Sequence, residues 1–213
     1  MSDHSDTVWD EYQWERFLQQ QEKRTEKYME LLEKYLDHPQ RDEIIAREMN
    51  WSHLVEENQQ NWEEEVDAMF EQEGGGEEGE DLVEGLLEKH PLYCQALEFC
   101  GELGRVFDNL EASVAEHPAA NALQTQATIT SAKLAAALGD GDEIEELGMG
   151  IAYLKRALFS VNSALGALAQ MERERLLTEA DVERIRALLF SIRDGIVTKT
   201  GECRAEFRRR HGK

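Results

Sequence analysis

The chain has 213 residues, of which 41% are hydrophobic and 32% charged, and it contains only three prolines. This length and apolar content allow a sizeable core, which excludes a wholly disordered chain. The scarcity of proline, together with long stretches rich in Ala, Leu, Glu, Arg and Gln, favours helices over the short strands of an all-β protein.

The net charge of −22 is concentrated in the first part of the chain. Residues 1–120 contain 9 basic and 32 acidic side chains, whereas residues 121–213 contain 14 basic and 13 acidic ones. An acidic surface repels nucleic acid and anionic lipid over about 8 Å at physiological salt. Nucleic acid and anionic lipid are therefore unfavourable partners for the first half, and a basic partner or none is the better expectation.

The N-terminus and the cysteines indicate the compartment. The first six residues lack the basic segment and apolar run of a secretory signal, and no apolar stretch of the chain approaches membrane-spanning length. Cys94, Cys100 and Cys203 are sparse and odd in number, which fits reduced thiols better than a disulfide framework. We expect a cytoplasmic protein with no membrane partner.

Residues 1–70 are predicted to form an acidic helical hairpin arm. Thr7 is expected to cap a first helix that runs through Leu36 and has no apolar residue between positions 19 and 27. A second helix follows, breaks near Asn50 and resumes as far as residue 70. Large aromatic side chains of this arm are candidate contacts for a partner: Trp9, Trp14, Phe17, Trp51 and Trp62.

Residues 71–80 contain four glycines and five glutamates and are predicted to be a flexible linker. This linker separates the arm from a helical bundle in residues 81–213. Asp81 and Glu84 have the spacing of a capping box for a short helix that should end at His90-Pro91.

Apolar residues then recur every three or four positions in stripes that predict long helices. The first stripe should end at His117-Pro118, and it contains Leu97, Cys100, Leu103, Phe107, Leu110 and Val114. The second has mainly small side chains and stops near Gly139, and it contains Leu123, Ala127, Thr130, Leu134 and Ala137.

Two further stripes complete the predicted core. The third follows a capping pair, Asp142 and Glu145, and contains Ile144, Leu147, Ile151, Leu154, Leu158, Val161, Leu165 and Leu168. The fourth follows a second capping pair, Thr178 and Asp181, and contains Val182, Ile185, Leu189, Ile192, Ile196, Cys203 and Phe207. A bend or frayed end is expected at Thr200-Gly201 in this last helix.

Short connections between these helices predict the fold. A short loop cannot return the chain to a parallel start, so consecutive helices should be antiparallel neighbours. We therefore predict an all-α protein: an antiparallel up-down four-helix bundle with an N-terminal helical hairpin arm. Leu154 and Leu158 lie in the middle of the third stripe and are expected to be fully buried.

Metal ligation has two candidate groups in the sequence. His53 and Glu57 lie four residues apart and could share a metal on one helix face, while a solvated polar face is the simpler interpretation. His90, Cys94 and Glu98 repeat the same spacing. For them the simpler interpretation is a helix entrance, a small buried residue and a solvated carboxylate.

Catalytic signatures are absent from the sequence. It contains no phosphate-binding glycine loop with Lys-Ser/Thr, no nucleophile elbow, no dinucleotide fingerprint and no Glu-x-x-His pair of a di-metal bundle. Gly148 and Gly150 lie within the third predicted helix, where close packing explains them better than phosphate binding. We therefore predict no catalytic residues and no cofactor.

The C-terminal tail is basic. Its arginines, Arg204, Arg208, Arg209 and Arg210, could contact RNA. Because cations at a helix C-terminus complement the helix dipole, a structural interpretation is favoured, in which they pair with acidic side chains of the same or a neighbouring molecule.

Residues 92–208 resemble the bacterial four-helix-bundle family encoded in ribosomal intervening sequences. The resemblance rests on helix order, on Gln124-Thr125-Gln126 leading into an Ala-rich helix, and on Leu165 to Ile185 running through Leu176-Leu177-Thr178-Glu179. The family's Asn-Ile-Ala-Glu-Gly signature is replaced here by residues 134–139. The resemblance implies an oligomerising scaffold.

The leading hypothesis is a non-enzymatic helical interaction or scaffold protein that self-associates or binds a protein partner. One alternative is a carboxylate-rich metal-binding bundle. The other is a nucleic-acid accessory protein that uses the Arg-rich tail.

Overall fold

A computed structural model of the chain describes residues 8–51, 90–139 and 147–212. These residues are helical apart from turns and short connections, with no strand among them, so the predicted all-α class is confirmed. The predicted linker at 71–80 and the capping pairs at Asp81 and Asp142 lie outside the described residues. So do Thr7 and the resumed second helix of the arm.

Seven helices occur in the described ranges. In chain order they are α1 (Glu11–Lys34), α2 (Arg41–Glu48), α3 (Pro91–Phe107), α4 (Ala112–Ala115), α5 (Pro118–Leu138), α6 (Leu147–Arg173) and α7 (Glu179–His211). None of these helices has the length and apolar character needed to cross a membrane.

The chain divides into two compact units, Met1–Trp14 with Leu82–Lys213, and Glu15–Asp81. Within the first unit, α3 contacts α5 and α7, and α6 also contacts α5 and α7. The helix α1 begins in the first unit and continues into the second, and it has no buried residue. In the second unit, α2 buries Ile45 and Ala46 and is followed by the buried Met49.

The helix α2 ends at Glu48, close to the break predicted near Asn50. Asn50 adopts a left-handed conformation with φ of 58°, which stops α2. The ring of Trp51 lies 5.7 Å from the ring of Tyr28, and the guanidinium of Arg24 lies 5.1 Å from the centre of the Trp51 ring. An aromatic pair with a cation over one ring thus joins α1 to the end of α2.

Helix starts follow from local capping chemistry. Asp10, not Thr7, precedes α1: its carboxylate accepts hydrogen bonds from the backbone N–H groups of Tyr12 and Gln13, and Gln13 Oε1 accepts one from Asp10 N–H. At α7 the predicted cap is confirmed, since Thr178 Oγ1 accepts a hydrogen bond from the N–H of Asp181.

The predicted long helix from Leu97 to Val114 is wrong. The helix α3 ends at Phe107, and only the one-turn helix α4 precedes Pro118. Asn109 explains the break locally, because its side-chain amide donates a hydrogen bond to the carbonyl of Arg105 at 2.7 Å and holds the chain in a turn. His90 and His117 act as N-caps, with the following prolines in the first turns of α3 and α5.

The core of the first unit matches the second and fourth stripes in full. Every predicted residue of those two stripes is buried. In the third stripe Leu154 is fully buried but Leu158 is half-buried, so the prediction that both are fully buried is wrong. The helix α7 runs unbroken through Thr200-Gly201, so the predicted bend or frayed end is wrong; Thr200 is buried, and its hydroxyl donates to the carbonyl of Ile196 within the helix.

Candidate interaction surface

The least charged part of the described surface lies on α5 and α6. Residues 118–139 contain one charged side chain, Lys133, and residues 147–171 contain two, Lys155 and Arg156. Neither range contains an aspartate or a glutamate, in a chain with 45 of them. In a chain of which 32% is charged, a surface of this length without acidic residues sets α5 and α6 apart from the other helices.

Phe159 stands out on this surface. Its side chain is 73% exposed, the highest value among the described large hydrophobic residues. It lies near the middle of α6, on the side opposite the buried Leu154 and Val161. Aromatic side chains are enriched at the centres of protein interfaces, so this exposed ring is a candidate contact for a partner.

A second stripe runs along the outside of α6. It repeats every three or four residues, as the inner stripe does, and it consists of Lys155, Phe159, Asn162, Gly166 and Ala169. The last four of these are exposed. No atom lies within 4 Å of the position a β-carbon on Gly166 would take, so the surface beside this glycine is open. We call Phe159, Asn162, Gly166 and Ala169 the outer α6 stripe.

This stripe was missed at the sequence level. Most of its members are small or polar, and the apolar spacing of α6 therefore indicates only the inner, core-facing stripe. The signal that could have found it is the absence of acidic residues from 118 to 139 and from 147 to 171, combined with one aromatic residue out of phase with the core.

The predicted aromatic contacts of the arm lie in different environments. Trp9 is 40% exposed and packs edge-on against Trp14 with ring centres 5.0 Å apart, and both lie against Gly148 of α6. Phe17 is 36% exposed, and Trp51 is half-buried against Tyr28. Trp62 lies outside the described residues.

Three of the four arginines of the basic tail contact carboxylates of the same chain. Arg204 makes a bidentate pair with Glu11, with N–O distances of 3.0 and 3.1 Å. Arg209 and Arg210 both donate hydrogen bonds to Glu206. The two arginines lower the pKa of Glu206 from its ordinary 4.5 to about 2. Arg208 is exposed on the last turn of α7.

The metal candidates are not assembled into a site within the described residues. His90 Nδ1 accepts a hydrogen bond from the N–H of Leu92 at 3.3 Å, and Glu98 is exposed. Cys94 is exposed as well, so the interpretation of it as a small buried residue is wrong. The part of the chain that the structure describes holds no group of three His, Cys, Asp or Glu side chains that could bind a metal. His53 and Glu57 lie outside it.

A groove of about 550 Å³ lies at the ends of α3 and α6 and the start of α7. Beside it, Glu102 is buried and bridges two cations, with 2.5 Å separating its carboxylate from Arg105 and from Arg184. Arg175 and Asp181 also line the groove. Both arginines that flank Glu102 are already paired, so this cluster ties α3 to α7 and has a structural explanation.

Comparison of the chain with protein families, with curated proteins and with solved structures finds no match.

Proposed function

We propose that the protein is a non-enzymatic helical interaction protein that self-associates through the surface of α5 and α6, which has no acidic residue in 118–139 or in 147–171. The observation that carries this proposal is Phe159, 73% exposed at the centre of a long helix that has no acidic residue as far as position 171. Two copies of a chain with a net charge of −22 repel each other. The surface without acidic residues is therefore where a second copy can approach at the lowest electrostatic cost.

The proposed scaffold is an antiparallel up-down four-helix bundle formed by α3, α5, α6 and α7. Contacts between α3 and α7 support this order. A β-carbon placed on Gly195 would lie 2.8 Å from Leu92, near the start of α3. Ten residues further along α3, Glu102 pairs with Arg184, eleven residues earlier in α7. When the residue number of the contact rises along one helix and falls along the other, the two helices are antiparallel neighbours.

The same relationship holds between α5 and α6. His117, which caps the start of α5, lies 3.1 Å from Glu174, just beyond the end of α6. Near the other end of α5, Lys133 lies over the ring of Tyr153 in the first half of α6, at 5.6 Å from its centre. The helical arm of residues 1–70 and the linker at 71–80 complete the proposed organisation, and the resemblance to the ribosomal intervening-sequence family remains a prediction.

Light-scattering mass measured during gel filtration tests the proposal. The expected result is a mass that is a multiple of 24.4 kDa and that falls on dilution. A mass of 24.4 kDa at every concentration up to the millimolar range would contradict self-association. Metal content of the untagged protein and a filter-binding titration with RNA against salt test the two alternative functions in the same preparation.

A further inference from the structure

We infer that α6 pairs in an antiparallel manner with α6 of a second copy, so that Phe159 of each copy fills the open space above Gly166 of the other. The inference rests on the proposed function, because it names the partner and the contact geometry of the same surface. The two-fold axis of this pair passes close to Asn162 and Ser163.

Self-complementarity is the first argument. Phe159 and Gly166 are seven residues apart, two helical turns, and so lie on the same side of α6. In a two-fold interface, if residue i of one copy faces residue j of the other, then j also faces i. In an antiparallel pair, Phe159 of the first copy therefore faces Gly166 of the second, and Phe159 of the second copy faces Gly166 of the first.

The spacing of the outer α6 stripe is the second argument. Phe159, Asn162, Gly166 and Ala169 follow one another at intervals of three, four and three residues, the alternation that keeps a seam facing a partner helix. Gly166 and Ala169 are small, which lets two helix backbones approach closely. Asn162, a polar residue in the seam, is of the kind that fixes register between paired helices.

Orientation is the third argument. Parallel pairing would place Lys155 beside Lys155 and Phe159 beside Phe159, and it would leave the space above Gly166 empty. Antiparallel pairing separates these like charges and brings each ring to a glycine. Glu172 takes no part in this contact, because it pairs with Arg186 of α7 in the same chain.

The length of the contact is adequate for a stable pair. The start of α6 is covered by the chain's own N-terminal segment, since Trp9 and Trp14 lie against Gly148 and Lys155 lies over the ring of Tyr12. The part of α6 from residue 156 to residue 173 remains for the contact, about 27 Å at 1.5 Å per residue. Exposed small residues of the neighbouring α5, among them Thr125, Ala132 and Ala136, extend the same surface. A standard interface takes about 800 Å² from each partner, which two long helices per copy can supply.

A knob-and-hole exchange tests the contact. The variants Phe159→Ala and Gly166→Phe should each weaken the dimer by about tenfold or more in dissociation constant, the first by removing the ring and the second by blocking its space. The double variant Phe159→Ala, Gly166→Phe moves the ring to the former hole and should restore dimerisation. Phe190→Ala is the matched control, since this ring is also exposed (39%) but lies on α7.

Cross-linking tests the position of the axis. In a Cys94→Ser background, Asn162→Cys should be joined to its copy by a short bis-maleimide, whereas Thr198→Cys on the exposed side of α7 should not. Helix content and melting temperature of each variant show whether it folds.

The outcomes separate this inference from the proposed function. A dimer that is unaffected by either single variant, or that the double variant fails to restore, or that Asn162→Cys fails to cross-link, overturns the α6 contact while self-association stands. A monomeric parent chain overturns self-association itself. Loss of the dimer in Phe159→Ala and Gly166→Phe, with recovery in the double variant, supports the inference.

Discussion

Gly148 lies directly beneath the main chain of Trp9. A β-carbon added to Gly148 would come within 2.3 Å of the carbonyl oxygen of Trp9 and within 2.9 Å of the indole ring of Trp14. Close to this point, the Glu11 carboxylate pairs with Arg204 of α7. The segment that precedes and opens α1 is therefore held against α6 and α7 by one close backbone approach and one bidentate ion pair.

Substitution of Gly148 by valine should release this segment. The added side chain would overlap a backbone atom, which cannot rotate away, so the Trp9 and Trp14 rings should separate from α6. The expected result is a red shift of tryptophan emission and a lower melting temperature. Gly104→Ala is the matched control, because no atom lies within 4 Å of a β-carbon there, and it should stabilise α3 by about 0.5–1 kcal/mol.

Some features of the fold were predictable because they depend on spacing within one helix. All seven residues of the α7 stripe are buried, since three-four spacing places them on one side whatever their neighbours are. The end of α3 was not predictable in this way. Leu110 and Val114 continue the apolar spacing across the break, and the hydrogen bond from Asn109 to Arg105 decides the outcome locally.

The proposed interaction surface was less predictable than the core. Phe159 follows the core residue Leu158 immediately, and a helical phase difference of about 100° decides which of them faces the interior. Leu158 itself is half-buried, so the boundary between core and surface on α6 depends on how α5 and α7 approach it. Packing of this kind is a tertiary property that the sequence pattern does not contain.

The three cysteines should react with thiol reagents at different rates. Cys94 is exposed, Cys100 is partly buried and contacts the hydroxyl of Ser131, and Cys203 is buried. Burial also raises the pKa of the Cys203 thiol, so less of the reactive thiolate is present at neutral pH. Labelling with iodoacetamide at pH 7.5, followed by mass spectrometry, should modify Cys94 first and Cys203 last. Faster labelling of Cys203 than of Cys94 would show that the end of α7 is not packed as described.

The C-terminal turn of α7 should keep its ion pairs well into the acid range. The pKa of Glu206 is lowered to about 2 because Arg209 and Arg210 donate hydrogen bonds to its carboxylate. A carboxylate with a folded pKa below its unfolded value stabilises the folded state above that unfolded value, near 4.5 here, and the effect is lost as the pH falls towards 2. Carbon-detected NMR titration of Glu206 should give a midpoint well below 4. A midpoint near 4.5 would contradict the pairing, and Glu206→Gln should remove the transition.

In the Glu102 cluster, loss of the two arginines should destabilise the fold more than loss of the carboxylate. Its carboxylate is buried, whereas the side chains of Arg105 and Arg184 are 70% and 55% exposed. Replacing both arginines by methionine leaves the buried Glu102 charge without a partner and should lower the free energy of unfolding. Glu102→Met leaves two arginines that water can solvate and should cost less. Urea unfolding of the two variants beside the parent tests this order, and the reverse order would refute it.

The inner face of α6 should show a graded dependence on burial. Leu154 is completely buried and packs in the core with α5 and α7, so Leu154→Ala should leave a cavity and lower the free energy of unfolding by about 2–5 kcal/mol. Leu158 is only half-buried, so part of its side chain contacts solvent in the folded state. Leu158→Ala should therefore cost distinctly less, and Val197→Ala, at a position 55% exposed on α7, should be close to neutral. Urea midpoints measured at one fixed protein concentration, which keeps any association constant, give the three values directly. Equal losses for Leu154→Ala and Leu158→Ala would mean that α6 is rotated about its axis relative to this structure, and Phe159 would then lie closer to the interior than its exposure indicates.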